Sequence, residues 1–140
     1  MMPKLNIACC ALVAVGFTAL TVSAEEANAG HECSFIAKVD RNKDGKISLF
    51  EAFRSGNKAF KAINDDGDRI LEPDEAAKRH IGPRTFDKYN RIKRKGLDRV
   101  EWSRLVRDRF KAANRDGDRT LECDELKTRR GHRLLAVIWH

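Results

Sequence analysis

"DRNKDGKISLFE", residues 40 to 51, places oxygen-bearing side chains at its first, third, fifth, ninth and twelfth positions: Asp40, Asn42, Asp44, Ser48 and Glu51. Its sixth position is Gly45, its seventh, Lys46, offers a main-chain carbonyl, and its eighth, Ile47, is apolar. Alternate side chains of a tightly wound loop can converge on one point, and a terminal glutamate adds two oxygens at once. Hard oxygens in that arrangement suit a calcium ion, which takes roughly six to eight of them at about 2.3 to 2.6 Å. A chance surface loop rarely brings all of these features together.

The pattern recurs. "FKAINDDGDRILEPDE" (60 to 75) and "FKAANRDGDRTLECDE" (110 to 125) align when the sequence is shifted against itself, differing only at Ile63/Ala113, Asp65/Arg115, Ile70/Thr120 and Pro73/Cys123. The same shift lays residues 36 to 51 over 86 to 101 more loosely, so the chain reads as two copies of a two-loop unit. All four segments share a skeleton: an apolar residue four before the loop (Ile36, Phe60, Phe86, Phe110), another at position eight (Ile47, Leu71, Leu97, Leu121), and a closing glutamate (Glu51, Glu75, Glu101, Glu125).

This skeleton resembles the EF-hand family, in which a helix, a twelve-residue calcium loop and a second helix repeat. It is closest in style to small exported bacterial members whose four tandem loops share helices. The resemblance covers nearly all of the chain after the leader and implies an all-α fold in which paired loops touch through short strands. It also implies calcium as the bound ion, with the chain acting as a buffer, a sensor or a calcium-stabilised binding module.

Residue by residue, loop one is the most complete, with ligands from Asp40, Asn42, Asp44, the Lys46 carbonyl, Ser48 and Glu51. Loop two would use Asn64, Asp66, Asp68, the Ile70 carbonyl, Glu72 through water, and Glu75; loop four would use Asn114, Asp116, Asp118, the Thr120 carbonyl, Glu122 and Glu125. In these two loops the sixth position holds Arg69 and Arg119 where glycine is usual. A non-glycine residue at positive φ costs about 1 to 2 kcal/mol, so the arginines are expected to weaken binding roughly ten-fold and not to abolish it. Loop three, "NRIKRKGLDRVE" (90 to 101), has Ile92 and Arg94 where carboxylates belong and Lys95 sixth, and reads as a packing partner without metal.

Twelve residues separate loops one and two (Ala52 to Ile63), and twelve separate loops three and four (Trp102 to Ala113). That is one helix of about 18 Å, so each pair of loops should sit at opposite ends of a shared helix. Gly82-Pro83 breaks the chain between loops two and three and permits a short hairpin. The expected pairing is therefore two with three and one with four. Gly56 reads as a weak point in the first shared helix, costing about 1 kcal/mol against alanine. Trp102, Phe53, Leu105, Val106 and the closing "LLAVIWH" read as core-facing.

Residues 1 to 24 read as an export signal: Lys4, then an uncharged apolar run from Leu5 to Val22, then small residues before Glu25. The chain from residue 25 would be periplasmic or secreted. It keeps Cys33 and Cys123, which either close one long disulfide loop or stand as separate thiols. No later segment is long and apolar enough to cross a membrane. The four histidines are scattered, without spacing for zinc, and no nucleophile has a base beside it, so no enzyme is indicated. The formal net charge is +7, or +6 without the leader and its single lysine. Twelve basic and four acidic residues lie between Arg84 and Arg115, which leaves a second reading: a basic interaction protein for lipopolysaccharide, polysaccharide or nucleic acid, with calcium only structural.

Overall fold

The computed structural model describes residues 33–93 and 95–139. The leader, Cys9 and Cys10, His31, Arg94 and His140 lie outside the described residues. The chain is mostly helical with one small sheet: α1 (Ile36–Val39), β1 (Ile47–Ser48), α2 (Leu49–Ile63), α3 (Pro73–Ala77), α4 (Pro83–Tyr89), α5 (Arg99–Ala113), β2 (Thr120–Leu121), α6 (Cys123–Leu126) and α7 (Arg129–Ile138).

One local device starts four of these helices. The ninth residue of each loop is the N-cap and the closing glutamate is the third helical residue, and the two cap each other reciprocally: Ser48 with Glu51, Glu72 with Glu75, Asp98 with Glu101, and Glu122 with Glu125. Each box satisfies amide donors that the first helical turn would otherwise leave without partners; an N-cap is typically worth about 1 kcal/mol. The long helices α2 and α5 thus begin inside the loops, which makes each 15 residues long and about 22 Å. They run without a break to Asn64 and Asn114, the first residues of the next loops, so each helix is shared as the spacing predicts.

The pairing also follows the expectation. β1 and β2 are antiparallel, with Ile47 opposite Leu121 and Ser48 opposite Thr120, which joins loop one to loop four. Leu71 and Leu97 exchange both main-chain hydrogen bonds, at 2.9 and 2.8 Å, which joins loop two to loop three. The side chains of Ile47, Leu71, Leu97 and Leu121 are fully buried. The apolar residues four before each loop, Ile36, Phe60, Phe86 and Phe110, are buried as well.

The core lies where α2, α5 and α7 pack on one another. Trp102 is fully buried; its indole Nε1 donates to the Gly56 carbonyl at 2.9 Å, and its ring meets Phe60 edge-on at 5.9 Å between centroids. A Cβ on Gly56 would stand 2.9 Å from Cγ2 of Val106. Gly56 is therefore more than the weak point its helix propensity suggests, because its missing side chain lets α2 and α5 approach. Leu105, Val106, Leu134, Val137 and Ile138 are buried as expected, whereas Phe53 and Leu135 are only partly covered. Trp139 packs edge-on against Phe35 at 6.0 Å, under the ammonium of Lys38. Ser55 ties α2 to the end of α7 by donating to the Ile138 carbonyl at 2.6 Å. Cys33 and Cys123 form a disulfide with Cα atoms 5.7 Å apart, linking the start of the described chain to α6. Among the described residues no helix is long and apolar enough to cross a membrane.

Candidate functional site

The four loops hold their closing glutamates in one way. Each is at most 5 % exposed, and each carboxylate spans its loop. One oxygen accepts from the second residue's N–H: Arg41 at 2.7 Å, Asp65 at 2.7 Å, Arg91 at 2.7 Å and Arg115 at 2.6 Å. The other accepts from the ninth residue's N–H: Ser48 at 2.9 Å, Glu72 at 3.2 Å, Asp98 at 3.2 Å and Glu122 at 3.3 Å. A buried carboxylate needs such donors to offset its lost hydration. For Glu51, burial raises the pKa, but the donors of Ser48, Arg41 and Asn42 together bring the carboxyl below its ordinary value.

Backbone geometry revises the expectation about Arg69 and Arg119. Both take positive φ, at +73° and +75°, as a sixth residue must. Yet loops one, two and four each have two left-handed positions, the fourth and the sixth. In loop one Lys43 occupies the fourth at +59° and Gly45 the sixth; in loops two and four Gly67 and Gly117 occupy the fourth. All three loops therefore contain one glycine and one strained non-glycine residue. Loops two and four therefore carry no more backbone strain than loop one, because their glycine stands two places earlier and has not been lost. Asp66 and Asp116 precede those glycines, so the signal was present in the "DGDR" string of both loops.

The carboxylates come together most closely in loop two. Oxygens of Asp66, Glu72 and Glu75 all lie within 4.8 Å of one another. Two ligands at about 2.3 to 2.6 Å from a common ion can be at most about 5 Å apart, so this triad can reach one ion. Burial, followed by the nearby carboxylates of Glu75, Asp68 and Asp66, pushes the Glu72 carboxyl above its ordinary range. Asn64 sends its amide nitrogen to the Ile70 carbonyl at 2.7 Å, so two of the expected ligands of this loop bond each other. Asp68 accepts from the Ile70 amide at 2.8 Å.

In loop one, which the sequence ranks first, internal bonds engage the side chains. Asp40 accepts from Lys43 and Gly45 amides at 2.6 and 2.8 Å, Asn42 donates to Asp44 at 2.9 Å, and the Ser48 hydroxyl donates to Glu51 at 2.8 Å. Loop four has Asn114 donating to the Thr120 carbonyl at 3.0 Å, Asp116 accepting from the Asp118 amide at 3.1 Å, and Asp118 accepting from the Thr120 hydroxyl at 2.7 Å.

Loop four also receives a cation from its neighbour. Lys46 Nζ lies 2.5 Å from Glu122 Oε1 and 3.6 Å from Asp118 Oδ2. The Glu122 contact, foremost, raises the Lys46 pKa, while the Thr120 bonds, foremost, lower that of Asp118 with Lys46 adding to them. Sequence reading gave Lys46 only a carbonyl role. The pairing of Ile47 with Leu121 and Ser48 with Thr120 continues to place Lys46 opposite Glu122, so the register is the signal that would have found it.

Loop three brings Glu101 to the same buried position, with Ile92 exposed where a ligand would sit. Its carboxylate is held by the Arg91, Ile92 and Asp98 amides, and its apolar Leu97 supports loop two. No protein-family model matches this chain, and no curated protein matches it.

Proposed function

We propose that this is an exported calcium-binding protein of EF-hand type, with loops one, two and four as the ion-binding loops and loop three as a structural partner. The observation that carries the reading is the convergence of Asp66, Glu72 and Glu75 within 4.8 Å, in a loop whose frame recurs three more times. The donor set is all oxygen, which suits a hard cation, and its number and carboxylate content favour calcium over magnesium, which keeps more of its water.

Loop two supplies the assembled carboxylates, loop one carries the fullest ligand sequence, and loop four must displace the Lys46 ammonium to use Glu122. An ion that binds only the folded chain adds RT ln(1 + [L]/Kd), about 2.7 kcal/mol at a hundred-fold excess. Since the closing glutamates also cap α2, α3 and α6, bound calcium and helix formation support each other. This suits a calcium-stabilised binding module in a calcium-rich compartment.

The test is calorimetric titration of residues 25–140 with calcium, together with Glu51→Gln, Glu75→Gln and Glu125→Gln variants. Each substitution should remove or weaken one binding event. Absence of heat and of any gain in melting temperature at millimolar calcium would end the proposal.

A further inference from the structure

A second site lies away from the loops. Helices α4, α5 and α7 line an open cleft of about 740 Å³, within the roughly 300 to 1,000 Å³ common for small-molecule sites. Five fixed cations line it: Lys88, Arg109, Arg129, Arg130 and Arg133. The single carboxylate among the lining residues, Asp108, is already engaged: it accepts from the Tyr89 hydroxyl at 3.0 Å and pairs with Arg107 at 3.7 Å. Among the described residues, none of the five lining cations is in ion-pair contact with a carboxylate.

The most covered of the five is Arg109, half-buried and fixed by a 2.5 Å hydrogen bond to the Arg133 carbonyl. That bond uses one donor of a guanidinium that carries several in a rigid fork. Burial, and then the nearby Arg133 charge, work against the Arg109 cation, with Tyr89 opposing them. Like charges gathered in a concave, partly dry site focus a positive potential, and an anion placed among them would relieve both burdens. Arginine forks match the oxygens of phosphate better than point charges do. Five cations in a volume of this size exceed what one phosphate group would balance.

We propose that this cleft binds a small ligand carrying at least two phosphate groups. The site is distinct from the calcium loops, since none of its lining residues belongs to the ligand sets of loops one, two or four.

The probe is fructose 1,6-bisphosphate, titrated calorimetrically into the calcium-loaded chain. Saturable one-site binding that weakens as salt is raised is the expected result. Arg129→Gln/Arg133→Gln, whose exposed side chains make no hydrogen bond among the described residues, should weaken it about ten-fold, as loss of charge-assisted hydrogen bonds would. Arg104→Gln/Lys111→Gln removes the same charge from α5 outside the cleft and should leave affinity within about two-fold. Arg109→Gln should abolish binding, with circular dichroism and calcium heats reporting whether its helix clamp survives. A parallel arm with phosphatidylcholine vesicles carrying phosphatidylinositol bisphosphate separates a lipid head group from a free sugar phosphate. Either arm, if lost in the cleft variants, supports the proposal. Absence of saturable binding in both arms, or equal weakening by both double variants, overturns it. Binding only to a long polyanion such as heparin, unaffected by the cleft substitutions, would assign the basic surface and not the cleft.

Discussion

Exchanging the fourth and sixth residues of loop two tests whether Arg69 is a defect or one half of a compensated pair. Gly67 and Arg69 have φ of +74° and +73°, and a Cβ on Gly67 would meet nothing within 4 Å. Substituting Gly67 therefore carries only the conformational cost of about 1 to 2 kcal/mol, less about 0.5 kcal/mol regained from a stiffer unfolded chain. Gly67→Ala should thus lose about 0.5 to 1.5 kcal/mol. Arg69→Gly releases the same strain but adds unfolded-state freedom worth about 0.5 to 1 kcal/mol, for a net gain of about 0.5 to 1 kcal/mol. The double exchange Gly67→Lys/Arg69→Gly recreates the arrangement of Lys43 and Gly45 in loop one and should be nearly neutral. Urea unfolding in saturating calcium measures the stabilities. Titration in a Glu51→Gln/Glu125→Gln background measures loop-two affinity, where each 1.4 kcal/mol corresponds to ten-fold. If the double exchange falls as far as Gly67→Ala alone, position six has a requirement beyond its dihedral and the compensation argument is wrong.

Cys33 and Cys123 are separated by 90 residues; the chain-entropy relation gives about 4.5 kcal/mol for a loop of that length. Cys33→Ser/Cys123→Ser should lose a large part of this in denaturant melts, and a loss under about 1 kcal/mol would refute an entropic role. Lys46→Met removes the ammonium from Glu122 and Asp118 and should raise the calcium affinity of loop four while leaving loop two unchanged; a decrease at loop four would show that Lys46 organises the site and does not compete for it. Burial, with help from Asp108, pushes the Tyr89 phenol up to about 12. The fold thus favours the protonated phenol, and its contribution is complete below about pH 10 and is lost as pH rises toward about 12. Tyr89→Phe should flatten the fall in stability between those values, and an unchanged alkaline limb would count against the assignment.

Local chemistry repeated at fixed spacing made much of the molecule legible. The apolar residues at loop position eight and four before each loop are all buried, and the residues left between loops allowed only shared helices. The Gly82-Pro83 break then favoured two-with-three and one-with-four pairing, as observed in the Leu71–Leu97 bridge and the β1–β2 ladder. The expectation for Arg69 and Arg119 came from one frame position read alone; strain is summed over a loop, and Gly67 and Gly117 stand two residues earlier. Gly56 was undervalued for a similar reason, since helix propensity is a local quantity and its closeness to Val106 belongs to two helices.

By itself, then, the sequence determined the four loops, their closing glutamates and the helices between them, because each depends on residues within about a dozen positions of one another. Tertiary structure alone decided that Lys46 reaches Glu122, that Cys33 meets Cys123, and that Lys88, Arg109 and Arg133 face a common cleft. Those partners come from distant segments, and charges interact through the space that packing sets, not through distance along the chain.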